Sequence, residues 1–157
     1  MDSIDRKIIA ELQSDGRLSI TELAERVNLS LSPRHRRLRA LEQDGVITGY
    51  RANLDPLKMG FNFLAIVFAT LKEGDKKAVS AFEEAVEEIP QIVLAQRLFG
   101  DPDYLMHVVT RDLPAFQKLY DDKLSAMPGV QHLRSTLVMK TVVQDRPFPL
   151  ESLNLTR

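Results

Sequence analysis

The sequence predicts an α+β chain in two parts, three short helices followed by a strand–helix–strand–strand–helix–strand segment. Three observations predict it. Apolar residues recur at spacings of three and four through the first 45 positions. After residue 60, runs rich in β-branched and aromatic residues alternate with helical stripes. Between the two regimes Asp55-Pro56 marks a turn.

The first helix is carried by Ile4, Ile8, Ile9 and Leu12 and ends near Gly16. The second opens at Ser19-Ile20-Thr21-Glu22, which fits a capping box: the serine oxygen takes an orphan backbone N–H and the glutamate reaches back. Leu23, Ala24 and Val27 give it a buried stripe. Asn28-Leu29-Ser30 breaks the pattern, and Ser32-Pro33 restarts it. Ser32 is placed as the N-cap and Pro33 at the first helical position, where a missing N–H costs nothing. The third helix runs from Arg34 to Glu42 and stops at Gly45. Val46 to Tyr50 and Ala52 to Leu54 are expected to form a short β-element. Together these make a helix-turn-helix domain of winged-helix-like type over residues 1–50, with a linker at 51–60.

The second domain is expected over residues 61–157. Phe61 to Lys72 reads as a strand. Asp75 to Ile89 reads as a helix with Val79, Phe82, Val86 and Ile89 on one face, stopped by Pro90. Ile92 to Phe99 and Tyr104 to Thr110 read as strands, and the short Gly100-Asp101-Pro102-Asp103 connection makes them antiparallel neighbours. Leu113 to Met127 reads as a helix stopped by Pro128-Gly129, and Val130 to Val143 as a long last strand. This βαββαβ order is the split-βαβ plan of ferredoxin-like domains. Both helices fall on one face of such a sheet. The other face needs cover, and a second copy of the chain is the economical source.

The charge pattern points to nucleic acid. The chain is nearly neutral, with formal net charge −1, and residues 1–50 hold eight basic and eight acidic side chains. Yet between Ser30 and Leu41 there are four arginines and no acid. A local patch in a balanced domain suits site-specific recognition better than bulk polyelectrolyte binding. Leu38 and Leu41, three apart, seat the third helix, and Arg36, Arg37 and Arg39 are expected to point outward. Arginine bridges guanine O6 and N7 or pairs with phosphate, and the sequence does not say which of these arginines does which.

Other classes find little support. No apolar run approaches the roughly 20 residues needed to span a bilayer, and Asp2, Asp5, Arg6 and Lys7 occupy the place of an apolar leader segment. There is no cysteine, which excludes disulfides and thiolate zinc sites and fits a reducing cytoplasm. His35, His107 and His132 are scattered, so no metal or cofactor is expected. His107 alternates with apolar residues and reads as a sheet histidine. Glu83, Glu84, Glu87 and Glu88 read as a solvated face. An enzyme built on Asp101 and Asp103 lacks any accompanying histidine, lysine or metal constellation.

In order and spacing, several segments resemble the Lrp/AsnC family of bacterial and archaeal transcription regulators. They are Asp5-Arg6-Lys7-Ile8-Ile9, Leu29-Ser30-Leu31-Ser32-Pro33, Arg36-Arg37-Leu38-Arg39-Ala40-Leu41-Glu42, Gly45-Val46-Ile47, Gly100-Asp101-Pro102-Asp103-Tyr104-Leu105 and Pro128-Gly129-Val130. The resemblance covers nearly the whole chain. It implies double-stranded DNA as a partner, an effector that is usually an amino acid, and self-association to dimers and often octamers. DNA contacts are then expected from Ser30, Ser32, Arg34, His35, Arg36, Arg37 and Arg39. Arg34 departs from the family, where this position is commonly small or apolar. The alternative is an effector-binding or assembly module whose DNA binding is weak or lost.

By itself Gly100-Asp101-Pro102-Asp103 is a good turn, since these residue types dominate turns for conformational reasons. The resemblance adds an effector role for Gly100, Asp101, Asp103 and Tyr104, with the last strand. Backbone N–H groups near Gly100 suit a carboxylate. Asp101 or Asp103 suits an ammonium, and Ser135 and Thr136 on the last strand offer hydroxyls from a neighbouring subunit, since the resemblance implies that effectors bind between dimers. Asp103→Ala is expected to abolish the effector response while sparing DNA binding.

Overall fold

A computed structural model describes residues 1–28 and 31–150, with residues 31–34 described by their backbone alone. Two compact units are present, Met1–Asn53 with the C-terminal segment from Val143, and Leu54–Val142.

Helix α1 (Ser3–Ser14) begins at a cap. The Asp2 carboxylate accepts the N–H groups of Ile4 and Asp5, and the Asp5 carboxylate accepts the N–H of Asp2. Helix α2 (Ile20–Val27) opens on the expected box: Ser19 Oγ accepts the Glu22 N–H and Glu22 accepts the Ser19 N–H. It ends at Asn28 in the left-handed region, φ 56°, which asparagine tolerates at helix ends. Helix α3 spans Leu31–Gln43. The expected turn residues Leu29 and Ser30 lie outside the described residues, as do the side chains of the expected cap Ser32-Pro33. Ile8, Leu23, Val27 and Leu41 are buried where the three helices meet, with Leu12, Leu38 and Ile47 packed around them.

The expected β-element at Val46 to Leu54 does not form. Both the Val46 and Ile47 N–H groups bond back to the Leu41 carbonyl, at 2.9 and 3.0 Å. Gly45 makes this reversal at φ +71°, a left-handed stop that a side chain would strain. These residues are consumed in closing α3 and have no partner strand.

The Gln13 amide bonds the C-terminal segment to α1. The Phe148 N–H donates to Gln13 Oε1 at 2.7 Å, and Gln13 Nε2 donates to the Phe148 carbonyl at 3.4 Å.

The second unit is one antiparallel sheet in the order β2-β3-β1-β4, with β1 at Phe63–Leu71, β2 at Ile92–Arg97, β3 at Tyr104–Thr110 and β4 at Val130–Leu137. Helices α4 (Lys76–Glu87) and α5 (Leu113–Asp122) cross between strands. The ferredoxin-like plan therefore holds. Asp75 and Asp112 cap the two helices by accepting the Ala78 and Ala115 N–H groups. The expected second helix breaks at Lys123, and a 3-10 turn over Leu124–Ala126 completes the segment.

Burial alternates along the central strands. Ala65, Val67, Ala69 and Leu71 of β1 and Tyr104, Met106 and Val108 of β3 join Phe82 and Phe116 of the helices in the core. The opposite face carries Leu64, Ile66, Phe68, Leu105, His107 and Val109, all half-buried. Strand β4 is shorter than expected. The Val138 N–H still reaches the Leu64 carbonyl, but β1 begins at Phe63, so Met139 to Val143 have no ladder to join. Among the described residues no helix is long and apolar enough to cross a membrane.

Candidate DNA-reading and effector sites

Helix α3 places its arginines on two faces. Counted at 100° per residue, Arg36 and Arg39 lie opposite Leu41, whereas Arg37, four residues before Leu41, lies beside the buried stripe. Arg36 and Arg39 are exposed and make no hydrogen bond or ion pair among the described residues. His35 is half-buried. Ser30 and the side chains of Ser32 and Arg34 lie outside the described residues.

Arg37 does not point outward as expected. Its Nη1 donates to Asp2 Oδ2 at 2.7 Å and to Asp5 Oδ1 at 2.8 Å. The two carboxylates raise the guanidinium above its ordinary value, Asp5 more than Asp2. Asp2 in turn is lowered, first by the Asp5 N–H and then by Arg37, against the opposing effect of desolvation. The pair that caps α1 thus also ties α1 to α3 and fixes how the outward arginines are presented. The sequence signal was available, because residues four apart share a helix face.

The loop after β2 makes the second site. Gly100 adopts φ +139°, open only to glycine, and the peptide between Asp101 and Pro102 is cis. The Leu98 N–H closes the loop on the Asp103 carbonyl at 2.7 Å. The two aspartates then diverge. Asp103 Oδ2 accepts the Leu71 N–H at 2.8 Å and pins the loop to the end of β1. Asp101 faces a cleft, and Thr70 Oγ1 donates to its Oδ1 at 3.4 Å. Tyr104 faces the core: its ring lies 4.6 Å from that of Phe82 and its hydroxyl donates to Glu83 at 2.7 Å. Burial, and then Glu83, push its phenol up to about 12.

The cleft has a volume of about 390 Å³ and is lined by Phe68 and Thr70 of β1 and by Asp101 and Pro102 of the loop. Gln131, His132 and Arg134 of β4 complete it. Arg134 lies over the Phe68 ring at 4.7 Å, within cation–π range. The ladder explains which residues meet: Thr70 faces His132, Phe68 faces Arg134 and Ile66 faces Thr136 on the open side of the sheet. Ser135 faces Val67 on the helix side, so Ser135 and Thr136 lie on opposite sides of the sheet. Of the expected effector residues, only Asp101 lines this cleft. His132 and Arg134 were not anticipated.

Exposed arginines on the outer face of a helix-turn-helix, and a polar cleft in a separate ferredoxin-like unit, define a regulator that binds DNA and a ligand. Comparison with known proteins places it further. Residues 1–48 match the winged helix-turn-helix DNA-binding family, and residues 64–148 match the Lrp/AsnC ligand binding domain. The chain is 40% identical over 152 residues to the leucine-responsive regulatory protein of Escherichia coli K12, covering 97% of this chain and 93% of that one. It is 39% identical over 144 residues to the proline dehydrogenase transcriptional activator of Rhodobacter capsulatus, covering 92% and 94%. A transcriptional regulator of Neisseria meningitidis, solved in complex with L-Met, superposes with a TM-score of 0.90 at 35% identity, covering 96% and 97%. The chain belongs to the Lrp/AsnC family of transcriptional regulators.

Proposed function

We propose that the chain reads a specific DNA operator through the outer face of α3 and is switched by an amino acid held in the cleft of Asp101 and Arg134. The cleft carries the effector reading. It sets one carboxylate and one guanidinium in a single concavity of about 390 Å³, the pairing that a zwitterion's ammonium and carboxylate require. The Neisseria relative's complex with L-Met supports the same reading.

Arg36 and Arg39 are the described side chains placed to meet DNA, with His35 beside them. Ser30, Ser32 and Arg34 remain candidates at the start of α3, and Arg37 acts through the geometry it imposes. The open sheet face beyond the cleft, apolar at Leu64, Ile66, Leu105 and Val109, suits a second copy of the chain related by a two-fold axis. A dimer presents two copies of α3 and predicts a palindromic operator. Further assembly to octamers belongs to this reading, as do a cytoplasmic setting and regulation without enzymatic turnover.

The test begins with a duplex selected from a random library by the purified protein. Affinity should fall steeply with salt, because phosphate contacts release counterions, and an effector amino acid should change it. Selection that yields no preferred sequence, or binding indifferent to every amino acid, removes the corresponding half of the proposal.

A further inference from the structure

We infer that the C-terminal segment is a second tether that fixes the spacing of the two operator half-sites, with Gln13 and the Phe148 amide as its positioning groups. This rests on the reading above of a palindromic operator by a dimer. The chain passes between its two units twice, at Asn53–Leu54 and again at Val142–Val143. Strand β4 ends at Leu137 in the second unit, and a short way on Phe148 is bonded to α1 of the first. A unit held by one flexible connection swings about it. A second, short connection removes much of that freedom.

The segment is built to dock in one register. Pro147 and Pro149 carry no N–H, so Phe148 supplies the only backbone donor of residues 147–149. Gln13 Oε1 accepts it at 2.7 Å, and Gln13 Nε2 donates to the Phe148 carbonyl at 3.4 Å. One side-chain amide thus pairs with both backbone groups of one residue, as the opposite residue of an antiparallel strand would. The Leu150 N–H reaches the same carbonyl at 2.9 Å. The two prolines restrict the backbone beforehand, so little freedom is lost on docking. The Phe148 side chain is 79% exposed, so the attachment runs through its backbone.

The place of attachment bears on DNA reading. A cavity of about 320 Å³ adjoins the clamp, lined by Ile9 and Gln13 of α1, by Val46, and by Pro149 and Leu150 of the segment. Val46 follows α3 and bonds back to the Leu41 carbonyl. The segment therefore lies against the helix that Arg37 ties to α3 and beside the turn where α3 stops. In a dimer two such units meet two half-sites. Each base pair between these moves a half-site by about 3.4 Å and turns it by about 35°. Units restrained at two points fit one spacing, and units restrained at one follow several.

The experiment measures binding of the full-length protein to its selected duplex, to a duplex holding one half-site, and to duplexes whose half-site spacing is changed by up to about three base pairs. The parent should prefer one spacing by at least about tenfold. Gln13→Ala, and Phe148→Pro, which lacks the N–H, should keep the parent's affinity for the single half-site and reduce that preference to about twofold or less. Phe148→Ala retains the N–H and should keep the parent's preference. The melting temperature of each variant checks that the fold is intact. Unchanged spacing preference in Gln13→Ala and Phe148→Pro, an equal loss on the single half-site, or a parent indifferent to spacing overturns this inference and leaves the operator reading standing. Relaxation by Phe148→Ala as large as that by Phe148→Pro overturns the assignment to the amide. A selected sequence without two-fold symmetry, or none at all, overturns the inference together with the reading it rests on.

Discussion

Asp101 and Asp103 are two residues apart in one loop, and the structure predicts opposite consequences for replacing them. Asp103 Oδ2 accepts the Leu71 N–H at 2.8 Å, and Leu71 is 7% exposed. Asp103→Ala therefore leaves a largely buried amide without its acceptor, a loss of about 1–3 kcal/mol. In a domain of this size each kcal/mol moves the melting temperature by roughly 4–8 °C. Asp103→Asn retains an oxygen acceptor but loses the charge assistance, and should fall between. Asp101 is exposed, and its bond from Thr70 is long at 3.4 Å. Asp101→Ala should change stability by no more than about 0.5 kcal/mol. It should instead weaken effector binding by about 1.5–3 kcal/mol, the worth of a charged hydrogen bond, or roughly tenfold to a hundredfold. Urea unfolding gives the first quantity and titration calorimetry the second. Equal stability of Asp103→Ala and the parent would refute the staple. A destabilised Asp101→Ala with unaltered ligand affinity would refute the division of labour altogether.

Three further outcomes are expected. Arg36→Ala and Arg39→Ala should lower operator affinity, by about 1–3 kcal/mol where the arginine reads a base, without lowering thermal stability; Arg37→Ala should lower stability, because it removes the ion pairs that tie Asp2 and Asp5 at the start of α1 to α3. Acid should loosen the N-terminal unit first at its caps. The folded values of Asp2 and Glu22 are lowered, Asp2 first by the Asp5 N–H and Glu22 first by the Ser19 side chain, so their contribution is present above the unfolded values near about 4 and is lost as pH falls through the folded ones; helical circular dichroism of an Asp2→Asn, Glu22→Gln variant should show a flatter acid limb. Gln13→Ala should release the C-terminal segment, seen as faster hydrogen exchange at the Phe148 amide, and an unchanged rate would deny the clamp.

Much of the fold was legible because it rests on local periodicity. The box at Ser19 and Glu22, the antiparallel pair after β2 and the stripe Val79, Phe82, Val86 need only neighbours within a few residues. The misses share a different cause. The apolar residues beyond Val138 have the composition of a strand, but strand length is set by a partner, and β1 has already ended. Val46 and Ile47 have β propensity, yet their N–H groups go to the Leu41 carbonyl. Competition for backbone hydrogen bonds decided both, and it is invisible to propensity.

The sites show the same division. Ser135 and Thr136 face opposite ways, as adjacent residues on a strand do. The same counting puts His132, Arg134 and Thr136 on one face, and it puts Tyr104 inward with Met106 and Val108. Arg37 could have been separated from Arg36 and Arg39 by its spacing from Leu41. The roles of Asp101 and Asp103 could not have been separated this way. Local rules treat both as turn residues, and what distinguishes them are partners on β1, Thr70 and Leu71, more than 30 residues earlier in the chain. Those partners are themselves adjacent, so their side chains leave the strand on opposite faces. The Thr70 hydroxyl faces the cleft, while the Leu71 side chain enters the core and its N–H turns to the loop. One strand end thus turns one aspartate toward the cleft and binds the other to the strand.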